Sequence, residues 1–155
     1  MSVLHGCLVV PVPLSSLSPG ENLPSFPNRT HCKAADLHHF PHLSRYATVN
    51  DAISRIPQGF PLHNPDQMAR CNRKPYSGDL PLRNCVTTQG SMDPHPSGER
   101  NFTLCELACL QGFPLEHQFG PLRTRKQIGN AVPPLVAKVF FEQIKRALHK
   151  ADGLI

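Results

Sequence analysis

Tryptophan is absent from these 155 residues, and only two tyrosines and eight phenylalanines supply aromatic area. Large aromatic side chains dominate the energetics of many cores. With 39% hydrophobic residues and 17 prolines, the composition weighs against a compact independent core. Charge is also sparse, at 17%, which argues against a self-repelling disordered chain. The six cysteines, at positions 7, 32, 71, 85, 105 and 109, contain no CxxC pair, so a zinc ribbon is disfavoured. No apolar run approaches the ~18 residues of a membrane span. Cys7–Leu14 is apolar, but Pro11 and Pro13 interrupt it and no cationic stretch precedes it, so it does not read as a signal peptide. The N-x-T sequons at Asn28 and Asn101 then read as chance matches, and the cysteine usage fits a reducing intracellular compartment. Dense Lys/Arg blocks and internal repeats are missing too.

The length suits about one domain. The net charge of +5 and pI of about 9.1 are compatible with a polyanionic partner without requiring one. The positive residues are scattered, with one local group at Arg123, Arg125 and Lys126.

Along the chain, Cys7–Val12 is β-branched and reads as a buried strand ending near Pro11. Leu14–Thr30 is rich in Ser, Pro, Gly and Asn and reads as a loop. The histidines of His31–Tyr46 invite a metal assignment, but the segment has no clear period and reads as a solvated loop. Thr48 followed by Asp51 forms a capping arrangement ahead of Val49, Ala52, Ile53 and Ile56, with Pro57 ending the helix. Asn84–Gln89 reads as a strand. Thr103-x-x-Glu106 is a capping box, Leu104, Leu107, Ala108 and Leu110 are its buried side, and Gly112 and Pro114 close it. Gly129-Asn130 is a turn signal. Pro133 and Pro134 suit the first turn of a last helix, whose apolar stripe is Val136, Val139, Phe140, Ile144, Ala147 and Leu148. Glu142 with Arg146 is a favourable i,i+4 pair, and Gly153 closes the helix.

Two blocks are more specific than any of these elements. Arg100–Pro114 reads RNFTLCELACLQGFP, and Lys126–Pro134 reads KQIGNAVPP. They resemble motifs IX and X of DNA cytosine-5 methyltransferases. In the first block Arg100, Thr103, Glu106, Ala108, Leu110, Gln111, Gly112, Phe113 and Pro114 match, while Cys105 and Cys109 replace two arginines. In the second, every residue from Lys126 to Pro134 matches, followed by Ala137. Weaker resemblance runs upstream through Ser18–His31, Ala47–Pro57, Leu82–Gly90 and His95–Thr103. The wording is closest to fungal-type members.

The resemblance implies an α/β fold: the C-terminal portion of a doubly wound, Rossmann-like methyltransferase domain with a small irregular target-recognition region. Residues 1–99 would hold the end of the catalytic-lobe strand, a linker and that region. Residues 100–155 would hold the motif IX helix, the motif X turn and the C-terminal helix. The family's chemistry needs a cysteine thiolate that adds to C6 of a flipped cytosine, so that C5 takes a methyl group from S-adenosyl-L-methionine. The Pro-Cys-Gln, E-N-V and F-x-G-x-G blocks that serve this chemistry do not occur here. No catalytic residue is therefore expected, and an N-terminal catalytic lobe is the expected partner, along with double-stranded DNA.

By resemblance, Asn130, Ala131 and Val132 face the cofactor, whose pocket would lie mostly outside this chain. Arg73, Lys74, Arg83, Thr87, Thr88 and Arg100 are the candidate DNA-binding residues, with Arg100 anchoring the recognition region. Cys105 and Cys109, one helical turn apart, read as small buried hydrophobes. Location would be nuclear in a eukaryote and cytoplasmic otherwise. Three readings stay open: part of an enzyme, a DNA-binding module without catalysis, or a non-functional remnant.

Overall fold

A threonine caps each of the two short helices around which the core is built. A computed structural model of the chain describes residues 24–154. The expected strand Cys7–Val12 and the first part of the expected loop Leu14–Thr30 lie outside those residues.

Helix α1 spans Val49–Ile53, with the Thr48 hydroxyl accepting from Asp51 N–H at 3.1 Å and Asp51 accepting from Thr48 N–H at 2.8 Å. Arg45 adds two bonds to the same carboxylate, at 2.6 and 3.0 Å. Those Arg45 bonds, followed by the Thr48 N–H, hold Asp51 well below the usual carboxylate range. The next donors of α1, Val49 N–H and Asn50 N–H, reach the carbonyls of Leu80 and Gly78 at 3.0 and 2.8 Å. The loop at residues 77–80 therefore completes a helix N-terminus. The helix ends earlier than its apolar spacing suggests, with Ser54 as its C-cap.

Helix α2, Leu104–Leu110, carries the second capping box, and every residue from Cys105 to Leu110 is buried. Gly112 takes φ +86° just beyond it, the left-handed geometry that closes such a helix without a Cβ penalty. Two small sheets flank these helices. Strand β1, His31–Cys32, runs parallel to β2, Ser44–Arg45, within a stretch expected to be loop. Strands β3, Val86–Thr87, and β4, Gly90–Ser91, form an antiparallel hairpin, shorter than the strand expected over Asn84–Gln89. A further bridge pairs Arg70 with Arg100, and Cys71 and Arg73 donate to the carbonyls of Glu99 and Gly98.

Val49, Leu82, Val86, Phe102, Leu107, Leu110, Phe113 and Ile128 meet in one core. Each such side chain contributes roughly 1.5–3 kcal/mol on burial. The core draws on α1, the β3–β4 hairpin, α2 and a third helix. That helix, α3, spans Thr124–Asn130, so Gly129 and Asn130 end a helix rather than making the free-standing turn expected from their sequence. The reason is the pair of contacts behind them, Ile128 in the core and Gly129 on the hairpin.

Helix α4, Pro134–Ala151, begins on proline as expected and none of its residues is buried. Its apolar stripe leaves Phe141 and Leu148 at 69% and 58% exposure. Glu142 pairs with Lys138 at 4.0 Å, not with Arg146. Helical side chains lean toward the N-terminus, which carries Glu142 to the preceding turn.

Candidate cofactor turn and nucleic-acid interface

Glu106 is a buried charge held from two sides. Its residue is 2% exposed, and Arg100 grips both carboxylate oxygens at 2.8 Å. Thr103 N–H donates to it at 2.7 Å and completes the cap of α2. His95 Nε2 lies 3.5 Å away, beyond a good hydrogen bond. Burial pushes the Glu106 carboxyl up, but the donors from Arg100 and Thr103 outweigh it and hold it well below the usual range. Arg100 thus faces inward, binding Glu106 and the Asn101 carbonyl.

A second buried carboxylate organises the loop at residues 83–93. Asp93 is 1% exposed and accepts from the backbone and side chain of both Arg83 and Asn84 at 2.9–3.1 Å. Burial pushes its carboxyl up, yet the Asn84 and Arg83 donors win and lower it. Arg83 also lies over the Tyr76 ring at 5.1 Å and lines an open cleft of about 920 Å³ with Lys33 and Arg45. Arg73 donates to the Met92 carbonyl at 3.0 Å, so Arg73 and Arg83 converge on the neighbouring residues Met92 and Asp93. Lys74 is exposed beside Arg73.

The Thr87 hydroxyl donates to the Gly90 carbonyl and accepts from Gln89 N–H, which closes the β3–β4 hairpin. The Thr87–Thr88 peptide lies directly against Gly129, where any β-carbon would overlap backbone atoms. The hairpin and the segment Asn130–Val132 are therefore brought together. Asn130 and Val132 are exposed and Ala131 is partly buried. Gln111, which matches the motif IX block, donates from Nε2 to the Ala131 carbonyl at 2.7 Å. Gln127 fastens the approach to α3 through Gly120 and Leu122.

Nothing in the sequence alone marks Asp93, His95 or Gln111 as an organiser of the site. Asp93 and His95 sit in irregular loops, where no period marks them. Gln111 stands in the motif IX block, but its partner lies twenty residues on.

Cys105 and Cys109 are buried, and burial pushes the Cys105 thiol up to about 12, so the reactive thiolate is scarce at neutral pH. No group of three or more potential metal ligands occurs among the described residues, and none of their helices is long and apolar enough to cross a membrane.

The C-5 cytosine-specific DNA methylase family model matches residues 32–146. Type II methyltransferase M.DdeI of Desulfomicrobium norvegicum is 38% identical over 86 residues, covering 47% of this chain and 20% of that protein. Type II methyltransferase M.AquIB of Picosynechococcus is 40% identical over 77 residues, covering 41% of this chain and 55% of that protein. DNA (cytosine-5)-methyltransferase 2 of Arabidopsis thaliana is 40% identical over 89 residues, covering 53% of this chain and 6% of that protein. The matched stretch thus spans from a twentieth to about half of these relatives. With the family match running from the parallel strand pair through the turn at residues 130–132 and into α4, the chain belongs to the C-5 cytosine-specific DNA methylase family.

Proposed function

We propose that this chain is the target-reading and cofactor-closing part of a DNA cytosine-5 methyltransferase, acting with a doubly wound catalytic lobe that supplies the Pro-Cys-Gln nucleophile. The observation that carries this reading is the junction of Gly129 with the Thr87–Thr88 peptide, which holds the hairpin of the recognition region against the motif X turn. One rigid piece then orients both DNA and cofactor. Asn130, Ala131 and Val132 face the cofactor. Arg73, Lys74 and Arg83 contact phosphates, which fix register without reading sequence. Thr87 and Thr88 stand at the base-reading edge, and Arg100 braces that region through Glu106.

The turn suits S-adenosyl-L-methionine: Val132 is apolar yet 64% exposed, and its backbone is held from behind by Gln111. Bound there, the cofactor supplies the methyl group. The exposed apolar face of α4 supports a partner lobe, since covering several such side chains yields roughly 1.5–3 kcal/mol each.

The test is to read the gene upstream for Pro-Cys-Gln and F-x-G-x-G blocks and produce that lobe with the chain. Labelled methyl transfer to cytosine DNA by the pair, and none by the 155 residues alone, is the expected result. Transfer by the chain alone overturns it. Salt-sensitive DNA binding by the pair without transfer establishes the non-catalytic binding module instead.

A further inference from the structure

A single amide holds the cofactor turn. Gln111 sits at the C-terminus of α2, only 5% exposed, and its Nε2 donates to the Ala131 carbonyl at 2.7 Å. The preceding peptide is held more weakly, by a 3.3 Å bond from Ala131 N–H to the Ile128 carbonyl. A trans peptide is planar, with its C=O and N–H pointing opposite ways. Drawing the Ala131 carbonyl inward therefore turns the Val132 N–H outward. That N–H has no hydrogen bond among the described residues, and Val132 is 64% exposed.

We propose that Gln111 is a positioning residue: its side-chain amide fixes the Ala131–Val132 peptide so that the Val132 N–H is presented to an acceptor atom of the bound cofactor. This rests on the reading of the chain as the cofactor-closing part of a methyltransferase. Gln111→Met keeps the length of the side chain and removes the donor. Gln111→Glu keeps its shape and, as a carboxylate, opposes the carbonyl.

The experiment has two arms. In the full chain, hydrogen exchange is followed by NMR at Ala131, Val132 and the α2 amides Leu107–Leu110. Both variants should speed exchange at Ala131 about tenfold while α2 stays protected and Val132, already open to water, exchanges fast in every form. In the chain assembled with its catalytic lobe, dissociation constants are measured for S-adenosylhomocysteine and for a cytosine duplex. Loss of one hydrogen bond corresponds to about five- to tenfold weaker S-adenosylhomocysteine binding, with duplex binding unchanged. Unchanged exchange and affinity in a folded variant overturn the proposal. Equal weakening of both ligands with loss of α2 protection also overturns it, since Gln111 would then serve folding alone. A wild-type assembly that binds the duplex but no S-adenosylhomocysteine defeats the broader reading and this inference together.

Discussion

Gly129 rests its α-carbon on the Thr87–Thr88 peptide so closely that a β-carbon would overlap the Thr87 carbonyl and the Thr88 nitrogen. The collision is with backbone, which cannot swing aside as a side-chain tip can. Gly129→Ala should therefore cost about 1–3 kcal/mol, the range of overpacking in a filled site. The check is a urea midpoint together with amide exchange at Val86–Ser91, which should speed as the hairpin lifts. Gly59→Ala is the control: its site has open space and φ +76°, so it should cost about 1 kcal/mol with no effect on the hairpin.

Removing the Glu106 charge should be among the most damaging changes. Glu106→Gln leaves the Arg100 guanidinium facing a neutral amide in a largely buried position and weakens the cap of α2. Breaking one side of a buried pair costs about 3–5 kcal/mol. Chemical denaturation of the variant tests this. A loss under about 1 kcal/mol would show that the pair is not stabilising.

Acid should unfold the protein through the same group. The folded-state pKa of Glu106 is depressed, so its contribution is present above the unfolded value of about 4.3 and is lost as pH falls below it. Asp93 acts in the same direction. Stability measured from about pH 7 to pH 3 should fall steeply below about pH 5, and Glu106→Gln should flatten that slope.

Cys105 and Cys109 should resist alkylation in the native protein. Both are buried, and the Cys105 thiol is pushed up to about 12. Iodoacetamide at pH 8 followed by peptide mapping should leave both unmodified until denaturant is added. Fast native labelling of either would contradict the packing of α2 against α1.

Polar substitution on α4 should separate stability from assembly. Phe141→Glu and Leu148→Glu remove exposed side chains, so the chain's own stability should change by less than about 0.5 kcal/mol. Association with the proposed catalytic lobe should weaken at least tenfold, as read by sedimentation or titration.

Local chemistry in this chain was legible and distant pairing was not. Thr48–Asp51 and Thr103–Glu106 announce their helices because both partners of a capping box lie within three residues, and both boxes form. Gly112 likewise takes the positive φ that its place after Leu110 demands. Helix α3 was hidden because its only buried apolar residue is Ile128 and its N-cap, Arg123, makes no side-chain cap. The small sheet β1–β2 was hidden because two-residue strands leave no alternation to detect. At the site, Thr87 and Val132 lie in stretches that resemble the family, while Arg73 and Lys74 are named only as basic residues suited to phosphate. What they are fastened to depends on Met92, Gly90 and Gln111, contacts that arise only once the loops close. The inward orientation of Arg100 follows from Glu106 being both cap and counter-ion, two duties that meet on Oε2, which accepts from Arg100 and from Thr103 N–H.

The bare surface of α4 has a calorimetric consequence. Eighteen residues that surrender no side chain to the interior share little of the cooperativity of the α1–α3 core. On heating, α4 frays gradually, as a lone helix does, while the remainder melts in a single sharp step. The van't Hoff enthalpy taken from helical circular dichroism therefore falls below the value reported by the near-ultraviolet signal of Tyr76, and the two converge only when another protein surface clasps that helix.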